Sequence, residues 1–448
     1  MIRLLALFFL FGSAVAQTAP KTSLPAKVDS YLAPYLSGNN FSGAVLIAQR
    51  GRVLVRQGYG MANRELGVAN TPETRFQVAS ISKPFTAAGV LLLVEQGKVA
   101  LSDPVAKFVP DFPHGDQITV EHLLTHTSGI PDVNGAPSYN EVSRFPQTPA
   151  SLIAVFRDAP LDFPPGTKYA YSNSNYNLLA RILEVVSGQD YGRYMREHVF
   201  TPLGLKATGH PANAADLIPL HASGYTPRGA TGVENPPYLD WTVKTGNGSL
   251  YSTVDDLYAF HNAMVADKLL SRATREKIWT EGKGNRYGWF VRQRDGRLVI
   301  STNGTSPGFA SVMDYYPADD LTVIVLSNIS VTAVQSPIAG DLAAIARGEQ
   351  REPPQVKPVA VAEKDLQRYA GEYQFGADFY RPNVKVRILV QDGALVFDWG
   401  NDFVTPLFPV ARDEFMLRRY WARILFTPEG VVYRDDKDYK APRLATSH

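Results

Sequence analysis

The apolar positions fall into blocks of different period. After a short helical stretch from Lys27, the run Gly43-Ala44-Val45-Leu46-Ile47-Ala48, a Gln49-Arg50-Gly51 turn and Val53-Leu54-Val55 read as a hairpin of two strands. From about residue 80 to 267 the pattern is mostly helical, with long connections rich in Pro, Gly and Asn, such as Phe163-Pro164-Pro165-Gly166 and Asn235-Pro236-Pro237. Loops of that length inside a compact domain usually carry a site. Strand patterns return at 287–291, 298–301 and 321–327. A sheet drawn from both ends of a segment, with helices inserted between, predicts an α/β layered domain with an antiparallel sheet.

Glu352-Pro353-Pro354-Gln355-Val356-Lys357-Pro358 is punctuated by proline like a linker, which divides the chain into a first domain at 25–348, a linker at 349–362 and a second domain at 363–448. In the last part Val384, Val386, Ile388 and Val390 alternate with Lys385, Arg387 and Leu389, and Asp392-Gly393 leads into Ala394-Leu395-Val396-Phe397, a hairpin signature. This part holds 15 aromatic residues in 86 positions, about 17% against 11% for the whole chain, which fits a small aromatic-lined β-barrel.

At the other end, Arg3, the apolar run at 4–11 and Ala14-Val15-Ala16 have the order of a secretory signal peptide, residues 1–16, cleaved after Ala16. The apolar stretch is well short of the roughly 20 residues that span a bilayer. The expected mature protein is exported, periplasmic or secreted, with no stable membrane insertion.

Composition narrows the chemistry. The 448 residues, 45% hydrophobic and 20% charged, exclude a disordered, collagenous or coiled-coil chain and favour two domains. Lys and Arg total 45 against 43 acidic residues, so there is no electrostatic footprint for nucleic acid. With no cysteine, disulfides, thiolate metal sites, iron–sulfur clusters and a cysteine nucleophile are excluded, and the histidines lack metal-ligand spacing. A covalent catalyst must then be an alcohol, amine or carboxylate.

Ser80-Ile81-Ser82-Lys83 opens a predicted helix that runs to about residue 96 and stops at Gly97, with Pro84 tolerated in the first turn. Lys83 falls one turn after Ser80 on the same face, where an amine can reach the hydroxyl. Serine is a poor nucleophile until a neighbour takes its proton. Lysine can do so only if its pKa falls from about 10.4, through burial and nearby cations. The alternative is a Ser N-cap with a solvated lysine. Tyr171-Ser172-Asn173 supplies what this pair lacks, a phenol to relay the proton and an amide to orient the substrate. It can equally be an N-cap ahead of the helical pattern at 177–183.

Four segments together carry a resemblance. Gln77-Val78-Ala79-Ser80-Ile81-Ser82-Lys83-Pro84-Phe85-Thr86, Glu121-His122-Leu123-Leu124-Thr125-His126-Thr127-Ser128-Gly129, the Pro164-Pro165-Gly166 to Tyr171-Ser172-Asn173 run and Gly248-Ser249-Leu250-Tyr251-Ser252-Thr253 closely resemble class C β-lactamases and their penicillin-binding and esterase relatives, over about residues 28–345. The resemblance implies a helical subdomain against an antiparallel sheet, with the serine in the cleft between. It implies a Ser80 acyl-enzyme served by Lys83, Tyr171 and Asn173, no metal or cofactor, and a small-molecule or peptide acyl substrate. The tail is loosely similar to lipocalin-like barrels that end some of these hydrolases.

The third motif of that family, Lys-Thr-Gly or His-x-Gly on the strand lining the cleft, has two candidates. Lys244-Thr245-Gly246 matches the letters, but it precedes a helical pattern at 254–266 and is set aside on placement. Residues 298–309, with Ser301-Thr302-Asn303-Gly304-Thr305 at their centre, have the strand setting but put Thr302 where the cation belongs. Thr302 can donate a neutral hydrogen bond, and the N–H groups of Ser80 and Thr305, beside Gly304, can form an oxyanion hole. Without a cation at 302, the expected substrates are esters or amides lacking a free carboxylate. A D,D-carboxypeptidase or β-lactamase is the alternative enzyme, and a binding or sensing protein without turnover the alternative of another class. His122 and His126 are assigned to packing and capping, and Asp255 and Asp256 to the start of a helix. The oligomeric state is not legible.

Overall fold

The computed structural model describes residues 23–212, 215–280, 284–354, 359–400, 404–435 and 437–444. The expected signal peptide and residues 355–358 of the expected linker lie outside these.

A Ser23-capped helix α1 (Leu24–Ser37) leads into β1 (Gly43–Gln49) and β2 (Arg52–Tyr59). The helical part includes α2 (Ser82–Glu95), α3 (Asn173–Ser187) and α4 (Val254–Val265). The chain then returns through β3 (Phe290–Arg294), β4 (Arg297–Ser306), β5 (Phe309–Tyr316) and β6 (Leu321–Ser327), followed by α5 (Gln335–Ala346). The six strands form one antiparallel sheet in the order β2-β1-β6-β5-β4-β3. Every residue of β5 and β6 is buried, because helices cover both faces. Val45, Ile47, Val323 and Val325 pack against α1 and α5, while their neighbours Ala44, Leu46, Ile324 and Leu326 join the core of the helical layer. The twofold alternation of a strand thus divides one apolar run between two cores. In the helical layer Phe85 stacks on Phe260 with ring centroids 3.8 Å apart.

Two local differences from the sequence expectation have clear causes. The strand expected from 287 starts at Phe290, because Tyr287 (φ 53°) and Gly288 (φ 87°) take left-handed conformations and the Tyr287 N–H donates to Leu124 O (2.7 Å). The helix expected from residue 80 opens instead with a 3-10 turn, Ala79–Ile81, before α2.

The C-terminal part is an eight-stranded antiparallel sheet in sequential order, β7 (Gly371–Gln374), β8 (Lys385–Gln391), β9 (Ala394–Asp398), β10 (Val404–Ala411), β11 (Glu414–Leu417), β12 (Ala422–Thr427), β13 (Gly430–Arg434) and β14 (Asp438–Pro442). A bridge between Tyr373 and Arg443 brings its edges together into a nearly closed barrel. Val386 and Ile388 point into its aromatic core and Lys385 and Arg387 outward, as their alternation predicts. Arg418, only 2% exposed, ties the barrel to the first part of the chain. Its guanidinium donates to Asn40 Oδ1 (2.7 Å) and to the carbonyls of Gly38, Asn39, Arg228, Gly229 and Gly232 at 2.7–3.3 Å. Beside it the Trp421 and Tyr35 rings lie 5.5 Å apart.

Candidate active site

Ser80 is presented by a turn that the surrounding chain fixes on three sides. The strand Phe76–Gln77 pairs with Tyr251–Ser252, and Val78 N–H donates to Leu250 O (2.9 Å). Ala79 then takes φ 49°, a left-handed conformation that costs a non-glycine residue about 1 kcal/mol and needs such support. On the third side lies β4. A Cβ on Gly304 would come 2.4 Å from Val78 O and 2.6 Å from Ser80 N, so only glycine lets the strand approach the nucleophile this closely.

This approach sets the main-chain donors. Ser306 pairs with Phe309 across a two-residue hairpin, so at Thr305 the N–H points away from β5. On that outer side β3 pairs only with residues 297–301. The Thr305 amide therefore has an open edge beside Ser80.

Lys83 is fully buried. Its ammonium donates to Ser80 Oγ (3.1 Å), Asn173 Oδ1 (2.8 Å) and Asn247 O (2.7 Å), and it lies over the rings of Tyr171 (4.9 Å) and Tyr176 (5.5 Å). Burial pushes its pKa well below the ordinary lysine value; Asp132 opposes that shift and Lys244 adds to it. Asn173 Oδ1 and the Asn247 carbonyl can accept only, so in the neutral amine they hold two N–H groups and the lone pair faces Ser80. The Tyr171 hydroxyl lies 2.9 Å from Ser80 Oγ, and burial pushes the phenol pKa upward, so it stays protonated at neutral pH. Asn173, the first residue of α3, turns its amide nitrogen to the Asp132 carboxylate (3.1 and 3.2 Å).

The structure therefore brings Ser80, Lys83, Tyr171 and Asn173 into one hydrogen-bonded group, with Gly304 and Thr305 beside it. Thr302 departs from the expectation. It is 1% exposed and its hydroxyl donates to Gly288 O (3.0 Å), which commits its proton to the protein rather than to a substrate. His122 accepts from Thr119 N–H (3.3 Å) in a capping box at the start of Val120–Leu124, and His126 lies behind Tyr171. The placement argument about Lys244 holds for its backbone, a 3-10 turn at Trp241–Lys244, but its side chain is buried close enough to Lys83 to act on it electrostatically.

Sequence reasoning missed three contributors: the Asn247 carbonyl, the Asp132 carboxylate behind Asn173, and Lys244. A main-chain acceptor has no side-chain signature, and Asp132 could have been found only as the acid that follows Gly129-Ile130-Pro131. A cavity of about 570 Å3 opens between the β4–β5 hairpin end (Pro307, Phe309) and Pro236, Pro237 and Trp241, and none of Ser80, Lys83, Tyr171 and Asn173 lines it.

Residues 28–347 match the family model described as beta-lactamase. The chain is 35% identical to PbpX of Bacillus subtilis over 300 residues, covering 67% of this chain and 73% of PbpX. It is 27% identical to penicillin-binding protein 4* of the same organism over 439 residues, covering 90% and 95% of the two chains. Among solved structures, a D-stereospecific amidohydrolase from Streptomyces superposes with a TM-score of 0.60 at 26% identity, over 70% of this chain and 97% of that one.

Proposed function

Because this chain belongs to the beta-lactamase family of serine hydrolases, we propose that it cleaves esters or amides through a Ser80 acyl-enzyme and does not require a free carboxylate on the substrate. The observation that carries the reading is the triangle of Ser80 Oγ, Lys83 Nζ and Tyr171 OH, with edges of 2.9 Å and 3.1 Å at the serine. In the acylation step neutral Lys83 takes the Ser80 proton as Oγ attacks the carbonyl carbon, and the N–H groups of Ser80 and Thr305 receive the developing oxyanion. Tyr171 gives its proton to the leaving alcohol or amine and is re-protonated from Lys83. Water then enters on the same route, giving a proton to the lysine–tyrosine pair, which returns it to Ser80 Oγ as the acyl C–O bond breaks and the acid leaves.

Substrate choice follows from the walls. Thr302 offers no charge to a carboxylate, and the cavity at the end of the β4–β5 hairpin sets Trp241, Phe309, Pro236 and Pro237 beside the polar His221, Asn235, Asp240 and Thr242, so it suits a substrate group of mixed polarity. The likeness to an amidohydrolase supports amides alongside esters. Arg3 and the apolar run after it support export.

The test is a hydrolysis panel on wild type and Ser80→Ala: p-nitrophenyl esters of increasing acyl length, D-amino acid amides, D-alanyl-D-alanine peptides and a chromogenic cephalosporin. The expected result is Ser80-dependent turnover of esters and amides above the other two classes. Faster turnover of the D-alanyl-D-alanine peptides or the cephalosporin would move the assignment to a D,D-peptidase or β-lactamase. Stable phosphonate labelling of Ser80 with no turnover of any substrate would make the protein a sensor.

A further inference from the structure

The two lysines of the cleft are linked by a closed polar circuit. Lys83 Nζ donates to Asn173 Oδ1 (2.8 Å), Asn173 Nδ2 donates to Asp132 Oδ2 (3.1 Å), and Asp132 Oδ1 caps the turn Val133–Gly135 by accepting from Asn134 N–H (3.1 Å). The side chain of that same Asn134 accepts from Lys244 Nζ (3.0 Å). From Lys244 the chain runs through Thr245 and Gly246 to Asn247, whose carbonyl accepts from Lys83 (2.7 Å) and closes the circuit. Thr245 O is held by Asn177 Nδ2 (2.8 Å) and Gly246 O by Thr86 Oγ1 (2.7 Å), so the return path is fastened to α2 and α3.

A lysine as buried as Lys244, 8% exposed, needs a reason to be there. Its ammonium has one hydrogen-bond acceptor, Asn134 Oδ1, and lies over the Tyr139 ring at 5.2 Å. Asp132 is the carboxylate whose charge both lysines feel. Besides Asp132 and Lys244, the titratable groups around Lys83 are Tyr171 and Tyr176 over its ammonium and His126 behind them, all neutral in their buried setting; Tyr139 is the one beside Lys244. The charge balance of the cleft is therefore decided among two lysines and one aspartate. An unbalanced Asp132, connected to Lys83 through one amide, would hold that lysine as an ammonium, unable to take a proton.

We propose that Lys244 is a positioning residue that neutralises Asp132, so that Asp132 anchors Asn173 without fixing Lys83 in its protonated form. This rests on the acyl-enzyme reading above. It gives the cation missing at position 302 a substitute from a different element, the turn Trp241–Lys244. Burial lowers the Lys244 pKa to about 8, so Lys244 carries its charge at neutral pH, and burial also pushes Lys83 well below the ordinary lysine value.

The experiment measures the rate of Ser80 labelling by a fluorophosphonate, and of p-nitrophenyl ester turnover, from pH 5 to 10 in wild type, Lys244→Met, Lys244→Arg, Asp132→Asn and the double variant, with Ser80→Ala as the blank. Lys244→Met is expected to move the rising limb of the profile up by at least one pH unit. Lys244→Arg should keep the wild-type limb, and the double variant should bring it back to within about half a unit of wild type. A Lys244→Met limb that coincides with wild type, or a rate lost equally at all pH values while Asp132→Asn leaves the limb in place, would overturn the proposal and leave the acyl-enzyme reading standing. If Lys244→Met does not fold, the limb of Asp132→Asn decides alone: a downward shift supports the proposal and none refutes it. Labelling or turnover that survives in Ser80→Ala, or a wild type with neither, would overturn both.

Discussion

The imidazole of His126 lies against the ring of Tyr171, with centroids 4.5 Å apart and planes inclined by 28°. Its Nδ1 accepts from Ser172 N–H and faces Asn175 Nδ2, each at 3.2 Å, so the ring also fixes the start of α3 behind the phenol. Burial lowers its pKa to about 3, which makes it a neutral support rather than a base. Replacing His126 by Phe keeps a flat ring but removes the acceptor. We expect kcat to fall about tenfold, the size of a small displacement of a proton-transfer group, with KM little changed. Steady-state ester kinetics check this, and a wild-type kcat would show that the phenol needs no such backing.

Gly304→Ala tests the approach of β4 to the nucleophile. The added methyl meets Val78 O and Ser80 N, both main chain and neither able to rotate away, so strand and turn must separate. That widens the gap between the Ser80 and Thr305 amides. The expected loss is at least ~100-fold in kcat, as for removal of an oxyanion donor, while the melting temperature drops by only a few degrees. Kinetics and thermal melts on the same variant separate the two effects.

Acid stability follows from histidines buried as neutral rings. Burial lowers the pKa values of His126 and His261 to about 3 and of His210 and His221 to about 4. In the unfolded chain each titrates near 6.5, so between pH 6.5 and 4 the unfolded state binds more protons and stability falls as pH falls. Each ring contributes roughly 1.4 kcal/mol per pH unit inside that window. Denaturant midpoints measured from pH 7 to 4.5 should decline steadily, and His261→Phe, which removes a ring remote from the nucleophile, should flatten the decline. A flat midpoint would mean that these rings take up protons in the folded state.

Arg418 tests how the barrel is seated. Its partners are neutral oxygens, five of them main-chain carbonyls, and a lysine has three donors where the fan uses more. Both Arg418→Lys and Arg418→Met should therefore weaken the contact, by about 3 kcal/mol for the methionine. Calorimetry would read this as one unfolding transition splitting into two, and limited proteolysis as faster cleavage between residues 349 and 362.

Much of the site was legible because its chemistry is local. Ser80 and Lys83 lie three residues apart across the 3-10 turn that opens α2, and Tyr171 and Asn173 two apart where the chain enters α3, so short spacing along the chain keeps each pair together. The sheet was legible from β1 and β6, whose apolar runs admit little else. What the sequence hid depends on distant chain segments meeting. The Thr302 hydroxyl is taken by the Gly288 carbonyl, 14 residues earlier. The Lys244 side chain reaches the cleft from a turn that gives no strand signal, and Asn247 acts through its backbone.

The same Arg418 cation has a consequence beyond seating. Three of the carbonyls it grips belong to Arg228, Gly229 and Gly232, on the small hairpin of Thr226–Arg228 and Gly232–Glu234. That hairpin runs directly into Asn235, Pro236 and Pro237, the wall of the cavity beside the β4–β5 hairpin. Through this one guanidinium the barrel braces the segment that walls the cavity, so loosening the barrel is expected to reshape that cavity while leaving Ser80, Lys83 and Tyr171 in place.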